Sequence, residues 1–135
     1  MAETFQLSVL TPERPVLDEE VVSIIAPGAQ GYLGVLAHHA PLITSLVPGK
    51  LTIREPNGRV AIYAISGGFL EVSNNKATIL ADALEPPEDI DIERAERARQ
   101  RAQERLAGIK AEIDIARAQV ALDRAKNRIR IAKER

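Results

Sequence analysis

Cysteine is absent from the 135 residues, which excludes a disulfide scaffold, a thiolate metal site and a cysteine nucleophile. Tryptophan is absent too, and aromatic residues make up only 3% of the chain, so a surface that stacks sugars or bases has little to be built from. No apolar run approaches the roughly 18 residues that a membrane-spanning helix needs. The opening Met1-Ala2-Glu3-Thr4-Phe5-Gln6 lacks the basic-then-apolar order of a signal peptide, and the expectation is a cytoplasmic protein. What is present, 45% hydrophobic and 27% charged residues, is the composition of a folded globular chain and not of a disordered tail. Its length allows one or two small domains.

The formal net charge of -1 is a cancellation between two halves. Residues 1–90 carry 5 Lys+Arg against 11 Asp+Glu, and residues 91–135 carry 13 against 8. All 8 prolines and 7 of the 8 glycines precede residue 88, so the halves differ in backbone punctuation as well as in sign of charge. The boundary falls at Glu85-Pro86-Pro87-Glu88, giving domains 1–87 and 88–135.

The first half reads as strands and turns. Phe5, Leu7 and Val9 alternate with Gln6 and Ser8, and Leu51 and Ile53 with Thr52 and Arg54, the period of half-buried strands. Pro56-Asn57-Gly58 separates the latter run from Val60–Ile65, and Asn74-Asn75 separates Phe69–Val72 from Ala77–Leu80; both have hairpin-turn composition. Short strands without intervening helices predict an antiparallel β-sandwich or flattened barrel.

The second half keeps a helical period. Ile92, Ala95, Ala98, Ala102 and Leu106 form one apolar stripe. After Gly108 a second helix is expected, with Ile109, Ile113, Ala116 and Val120 on one stripe and Ile115, Ala118, Leu122, Ala125, Ile129 and Ala132 on another. The pattern predicts an antiparallel two-helix hairpin, and an overall α+β fold of sandwich followed by hairpin. Its alanine-rich stripes bury little area, which makes the hairpin marginal by itself and movable by a ligand or partner.

Several motifs carry no chemistry. Gly28, Gly31 and Gly34 have the wrong spacing for a dinucleotide loop and lie in an all-β region, so they read as turn glycines. His38 and His39 diverge as neighbours and lack further His or Cys to complete a metal site, which leaves a packing or loop-ordering role beside Pro41. Ser66, in Ile65-Ser66-Gly67-Gly68-Phe69, misses the nucleophile-elbow pattern and has no convincing base, so the chain is expected not to be an enzyme.

The arginines say more. Arg94, Arg97, Arg101 and Arg105 step along the first predicted helix, and Arg117, Arg124, Arg128 and Arg135 along the second. Antiparallel pairing about a turn near Gly108 and Ile109 sets Arg94 opposite Arg124 and Arg101 opposite Arg117 to within a residue, with Arg128 beside Asp91 at the first helix's start. Guanidinium groups gathered near a helix N-terminus suit a polyphosphate. The bland reading is a solvated face in which Glu93, Glu96, Glu104, Glu112 and Asp123 partner the arginines. A nucleic-acid-binding helical half is a further reading, opposed by the mixing of Arg with Glu, the scarcity of aromatics and the acidic first half.

Across nearly its whole length the chain resembles the epsilon subunits of F-type ATP synthases. The resemblance rests on Val9-Leu10-Thr11-Pro12-Glu13, on Gly31–Leu42 (Gly-Tyr-Leu-Gly-Val-Leu-Ala-His-His-Ala-Pro-Leu), on Ser66–Val72 and on the Arg- and Ala-rich C-terminal helices. It implies a sandwich that binds the gamma subunit and the c-ring, and a mobile hairpin that lies folded on the sandwich or extends along gamma toward the alpha and beta subunits, where it blocks ATP hydrolysis. It also implies a place on the cytoplasmic face of the bacterial cell membrane, held there through the complex alone, with no catalytic cofactor and no nucleic-acid partner. Ile90-Asp91-Ile92-Glu93-Arg94-Ala95 matches the I/L-D-x-x-R-A motif of members that bind ATP, with Glu85 ahead of it and Arg101, Arg124 and Arg128 after it. By that resemblance Glu85, Ile90 and Asp91 surround base and ribose, Ala95 completes the motif, and Arg94, Arg101, Arg124 and Arg128 hold phosphates of a regulatory ATP, with Mg²⁺ left open. A rotor coupler without an ATP response is the alternative within the family.

Overall fold

The computed structural model describes residues 2–108 and 112–134, with side chains of 112–114 left aside. Its strands are β1 (Phe5–Leu10), β2 (Pro15–Val21), β3 (Ser23–Gly28), β4 (Gly31–Leu36), β5 (Leu42–Arg54), β6 (Val60–Ser73), β7 (Lys76–Ala81) and β8 (Leu84–Glu85). A 3₁₀ turn, Pro87–Asp89, precedes helices α1 (Ile92–Gly108) and α2 (Glu112–Glu134). The chain divides into two compact units, Met1–Glu85 and Pro86–Arg135.

In the first unit the strands run in the order β2-β1-β7-β6-β5-β3-β4, with β8 added beside β6. Alternation places Phe5, Leu7 and Val9 inward from β1, as their period predicts, and Leu51, Ile53, Leu70, Val72 and Ile79 join them in one core. The strands are not all short: β5 has 13 residues and β6 has 14, and the two pair with each other along nearly their whole length. Nor are all pairs antiparallel, because β1 lies parallel to β7 with Leu7 opposite Ala77 and Val9 opposite Ile79. Parallel pairing needs a long connection, and the whole of β2–β6 supplies it.

Turn chemistry sets these registers. Asn74 and Asn75 both take positive φ, 52° and 58°, as a two-residue turn between β6 and β7 requires. Asn75 also ties distant loops together: its Oδ1 accepts the backbone N–H of His38 at 2.7 Å, and its Nδ2 donates to the carbonyl of Thr4 at 3.0 Å. His38 is therefore a loop-ordering residue, itself at φ 64°, with its Nε2 3.5 Å from Glu3. At the bend of β6, Gly68 has φ 142°, and a Cβ there would stand 2.0 Å from the Leu80 carbonyl oxygen. That close approach, and not phosphate or nucleophile chemistry, accounts for Ser66-Gly67-Gly68. Gly28 and Gly31 flank a turn, but Gly34 lies inside β4 opposite Ile25, so it is not a turn glycine.

In the second unit α1 and α2 pack on each other. Ala95 and Ala102 are buried from α1, and Ala118, Leu122, Ala125, Ile129 and Ala132 from α2, which is one of the two expected stripes of the second helix. Ala116 and Val120 of the other stripe are exposed, as is Ile115; Ile109 and the Ile113 side chain lie outside the described residues. Lys133, at the end of α2, touches Glu96, near the start of α1, so the helices run antiparallel. That contact sets position 133 beside 96, further along α1 than counting from a turn at Gly108 and Ile109 predicts, so the expected pairings of Arg94 with Arg124 and Arg101 with Arg117 do not hold: Arg101 comes level with Arg128, and Arg105 with Arg124.

Candidate functional site: an arginine face on the helical unit

The I-D-x-x-R-A segment first builds a helix start. Ile90 is buried, and Asp91 precedes α1 as its N-cap: its Oδ1 accepts the Arg94 backbone N–H at 3.1 Å, while its carbonyl accepts that of Ala95 at 3.0 Å. Ala95 is fully buried on the inter-helix face, where a larger side chain would part the helices. Three of the four motif residues thus have structural work in the unit. Arg94 has none, and its side chain is exposed.

Helix phase decides where the arginines point. At about 100° per residue, Arg94, Arg101 and Arg105 fall within about 40° of one another, on one flank of the buried line through Ala95 and Ala102. Arg117, Arg124 and Arg128 likewise fall within about 40° on one flank of the line through Ala118, Ala125 and Ala132. Both flanks have the same rotational sense from the contact line. In antiparallel right-handed helices that equality brings them to one side of the pair, so six arginines from two helices share a face. Arg97 turns away from α2 and leaves the group. Arg105 and Arg117 join it, although the family motif does not single them out; helical spacing is the signal that finds them.

The acids are used elsewhere. Glu96 pairs with Arg99 and Lys133, Glu104 accepts from Gln100 at 3.4 Å, and Asp123 accepts from Gln119 at 2.9 Å. Among the described residues, the side chains of Arg94, Arg101, Arg105 and Arg117 have no carboxylate partner. The bland pairing of these arginines with Glu96, Glu104 and Asp123 is therefore not what the side chains do. An open groove of about 430 Å³ follows Ala116, Arg117, Val120, Ala121 and Arg124 along α2, with apolar and cationic walls. A cavity of about 540 Å³ on the sandwich, between Gly28–Leu33 and Leu42–Ser45, is lined by no charged residue and cannot hold a polyanion by charge. Glu85 belongs to the sandwich unit, on β8 opposite Ala64.

The sandwich presents a different surface. Ile43, Phe69 and Leu80 are 74%, 57% and 51% exposed on outward positions of β5, β6 and β7, and Phe69 stands directly opposite Leu80. Apolar side chains on both parities of a strand, as in Phe69-Leu70 and Ile79-Leu80, are the signal in the sequence that such a strand is covered on two faces.

Comparison with known proteins matches both units. Residues 4–87 match the family described as ATP synthase, Delta/Epsilon chain, beta-sandwich domain, and residues 88–133 match ATP synthase, Delta/Epsilon chain, long alpha-helix domain. The chain belongs to the epsilon-chain family of F-type ATP synthases. Within that family it is 47% identical over 133 residues to the ATP synthase epsilon chain of Desulforamulus reducens, covering 98% of this chain and 100% of that one. It is 50% identical over 105 residues to that of Pelotomaculum thermopropionicum, covering 78% of each. Among solved structures it superposes with a TM-score of 0.80 and 27% identity on a chain of the Euglena gracilis mitochondrial ATP synthase (OSCP/F1/c-ring), covering 92% of this chain and 78% of that one. A chain of the Tetrahymena thermophila mitochondrial ATP synthase shares the fold, with a TM-score of 0.72 at 17% identity over 97% and 98% of the two chains. Epsilon chains are non-catalytic members of the synthase, which agrees with a sequence that offers no nucleophile and base. Among the described residues no helix is long and apolar enough to cross a membrane.

Proposed function

We propose that this chain is a central-stalk subunit whose sandwich couples the rotor and whose helical unit senses ATP and restrains its hydrolysis. The exposed Ile43, Phe69 and Leu80 support docking of the sandwich on the gamma subunit and c-ring, since apolar side chains in such number seek a cover. The chain is then peripheral to the membrane, on its cytoplasmic face in a bacterium, and held there by the complex.

The observation that carries the ATP reading is the shared arginine face, four of whose members lack a carboxylate among the described residues. Arg94, Arg101, Arg124 and Arg128 offer forked donors to phosphate oxygens from both helices at once, so a polyphosphate that engages them bridges α1 and α2. Ile90 and Asp91 stand at the α1 N-terminus, whose dipole favours the same anion. A ligand that binds only the closed hairpin stabilises it by RT ln(1 + [L]/Kd), about 2.7 kcal/mol at a hundredfold excess over Kd. When ATP falls, the arginines lose their counter-charge, the helices separate, and the basic α2 reaches the alpha and beta subunits, where it halts hydrolysis. ATP itself is not consumed in this scheme.

Structural roles for Ile90, Asp91 and Ala95 favour one second reading, a rotor coupler in which the motif survives only as a helix start. Calorimetric titration of the chain with ATP, ADP and GTP, with and without Mg²⁺, separates the two. Sensing predicts one-site binding that prefers ATP, a raised melting temperature, and at least about tenfold weaker binding in Arg94→Ala and Arg101→Ala, each lost charge-assisted contact being worth about 1.5–3 kcal/mol. No heat and no thermal shift at millimolar ATP leaves the coupler alone standing.

A further inference from the structure

The flank of the helical unit away from the arginines holds a second charge arrangement. Glu96 lies about 100° from Ala95 on α1, and Lys133 about 80° from Ala125 on α2, both in the sense opposite to the arginines. The two side chains meet across the helices, Glu96 Oε1 to Lys133 Nζ at 3.5 Å, while the other carboxylate oxygen, Oε2, takes Arg99 of the same helix. Glu96 is thus shared by two cations, one of which belongs to the other helix. The pair therefore joins α1 to α2.

We infer that Glu96, positioned by Arg99, and Lys133 form a latch that closes the free end of the hairpin without any ligand. Position matters here. The chain itself joins the far end of the pair, so separation of the helices starts where α1 begins and α2 ends, and the latch spans that end. The contact line beneath it consists largely of alanine, each methyl contributing little, so an exposed ion pair of ordinary strength is a noticeable share of what keeps the helices together. Arg99 holds the carboxylate toward the inter-helix line, and Lys133 in the last turn of α2 is favoured by the helix dipole. The latch and the arginine face hold opposite sides of the same hairpin, one by internal charge and the other by the proposed anion.

The latch does not rest on the ATP reading, and its test contains no nucleotide. Because the chain lacks cysteine, Arg97→Cys and Lys126→Cys, both exposed, accept spin labels at those two positions alone. Inter-helix distance distributions are then compared for the labelled parent, Glu96→Gln, Lys133→Gln and both together. Each single substitution is expected to raise the long-distance population about twofold, the size of effect an exposed pair supports. The double substitution is expected to add nothing further, and about 0.5 M NaCl to erase the difference between parent and singles. Additive effects of the two substitutions, or distributions that do not change, overturn the latch. Unchanged thermal unfolding of the sandwich in all four proteins confirms that the labels report on the hairpin.

Discussion

The two units of this chain hold themselves together by different means. The sandwich draws Leu, Ile, Val and Phe from seven strands into one core, where each fully buried side chain contributes about 1.5–3 kcal/mol. The helices meet largely through alanines, the larger buried residues of α2 being Leu122, Ile129 and Ile131, and the unit adds a cap, a latch and a face of arginines. A unit built the first way keeps one shape through thermal motion and suits a permanent dock. One built the second way sits near balance between states, so a ligand worth a few kcal/mol can decide between them.

The strongest way to break that comparison is to empty the sandwich core. Leu70→Ala removes a wholly buried side chain and should cost about 2–5 kcal/mol, read as a lowered urea midpoint. A loss below about 1 kcal/mol would mean that the sandwich is no better packed than the hairpin. At the helical unit, Asp91→Ala should cost about 1 kcal/mol of helix stability through loss of the N-cap, seen as faster amide exchange in the first turn of α1, while Asp91→Ser restores the cap. This pair also sharpens the ATP assignment. An Asp91→Ser chain that keeps its cap but binds ATP weakly marks the carboxylate as a ligand, and one that binds normally marks it as a cap alone.

Within the sandwich, Tyr32 has a smaller duty. Its hydroxyl accepts the backbone N–H of Lys50 at 2.9 Å, where the β3–β5 register slips between Ile25 and Gly28 and strand pairing lapses. Tyr32→Phe leaves that donor to solvent and should cost about 0.5–1.5 kcal/mol by thermal melt, with no effect on the helices. The smallest expected effect is at Glu19. Partial burial, then the nearby Glu55 carboxylate, raise its pKa against a lowering influence of Arg59. A raised folded pKa means that its contribution to stability is full below the unfolded carboxylate value and is lost as pH rises through the folded one. Glu19→Gln should therefore be slightly more stable than the parent at neutral pH, and the two should converge as the medium is acidified; stability curves that run parallel from pH 3 to 7 would remove Glu19 from the account.

Much of this organisation was legible in the residues. Period-2 alternation marked β1 and the distal half of β5, Asn74-Asn75 marked a turn that needs two positive φ values, and the alanine stripe of α1 named its buried face. The arginines could be counted and phased from spacing. Other features were hidden because they depend on partners distant in sequence. Two candidate stripes of the second helix were equal on paper, and only packing against α1 buried the one through Ala118, Leu122 and Ala125. Of the acids near the arginines in sequence, Glu104 and Asp123 turned to Gln100 and Gln119, while Glu96 took Arg99, an arginine outside the shared face, together with Lys133.

Local terms could be read from the residues alone: which segments are strand or helix, where turns can reverse, which unit is acidic and which basic, and that thiol chemistry has no residue to carry it. Those follow from backbone sterics, side-chain period and residue chemistry, none of which needs a neighbour. Tertiary structure alone decided that β1 runs parallel to β7, that Gly68 must yield to the Leu80 carbonyl, and that six arginines come to one side of an antiparallel pair while Glu96 and Lys133 close the other. Each of these is a relation between segments far apart along the chain, fixed by the packing that buries the most apolar surface with its hydrogen bonds intact.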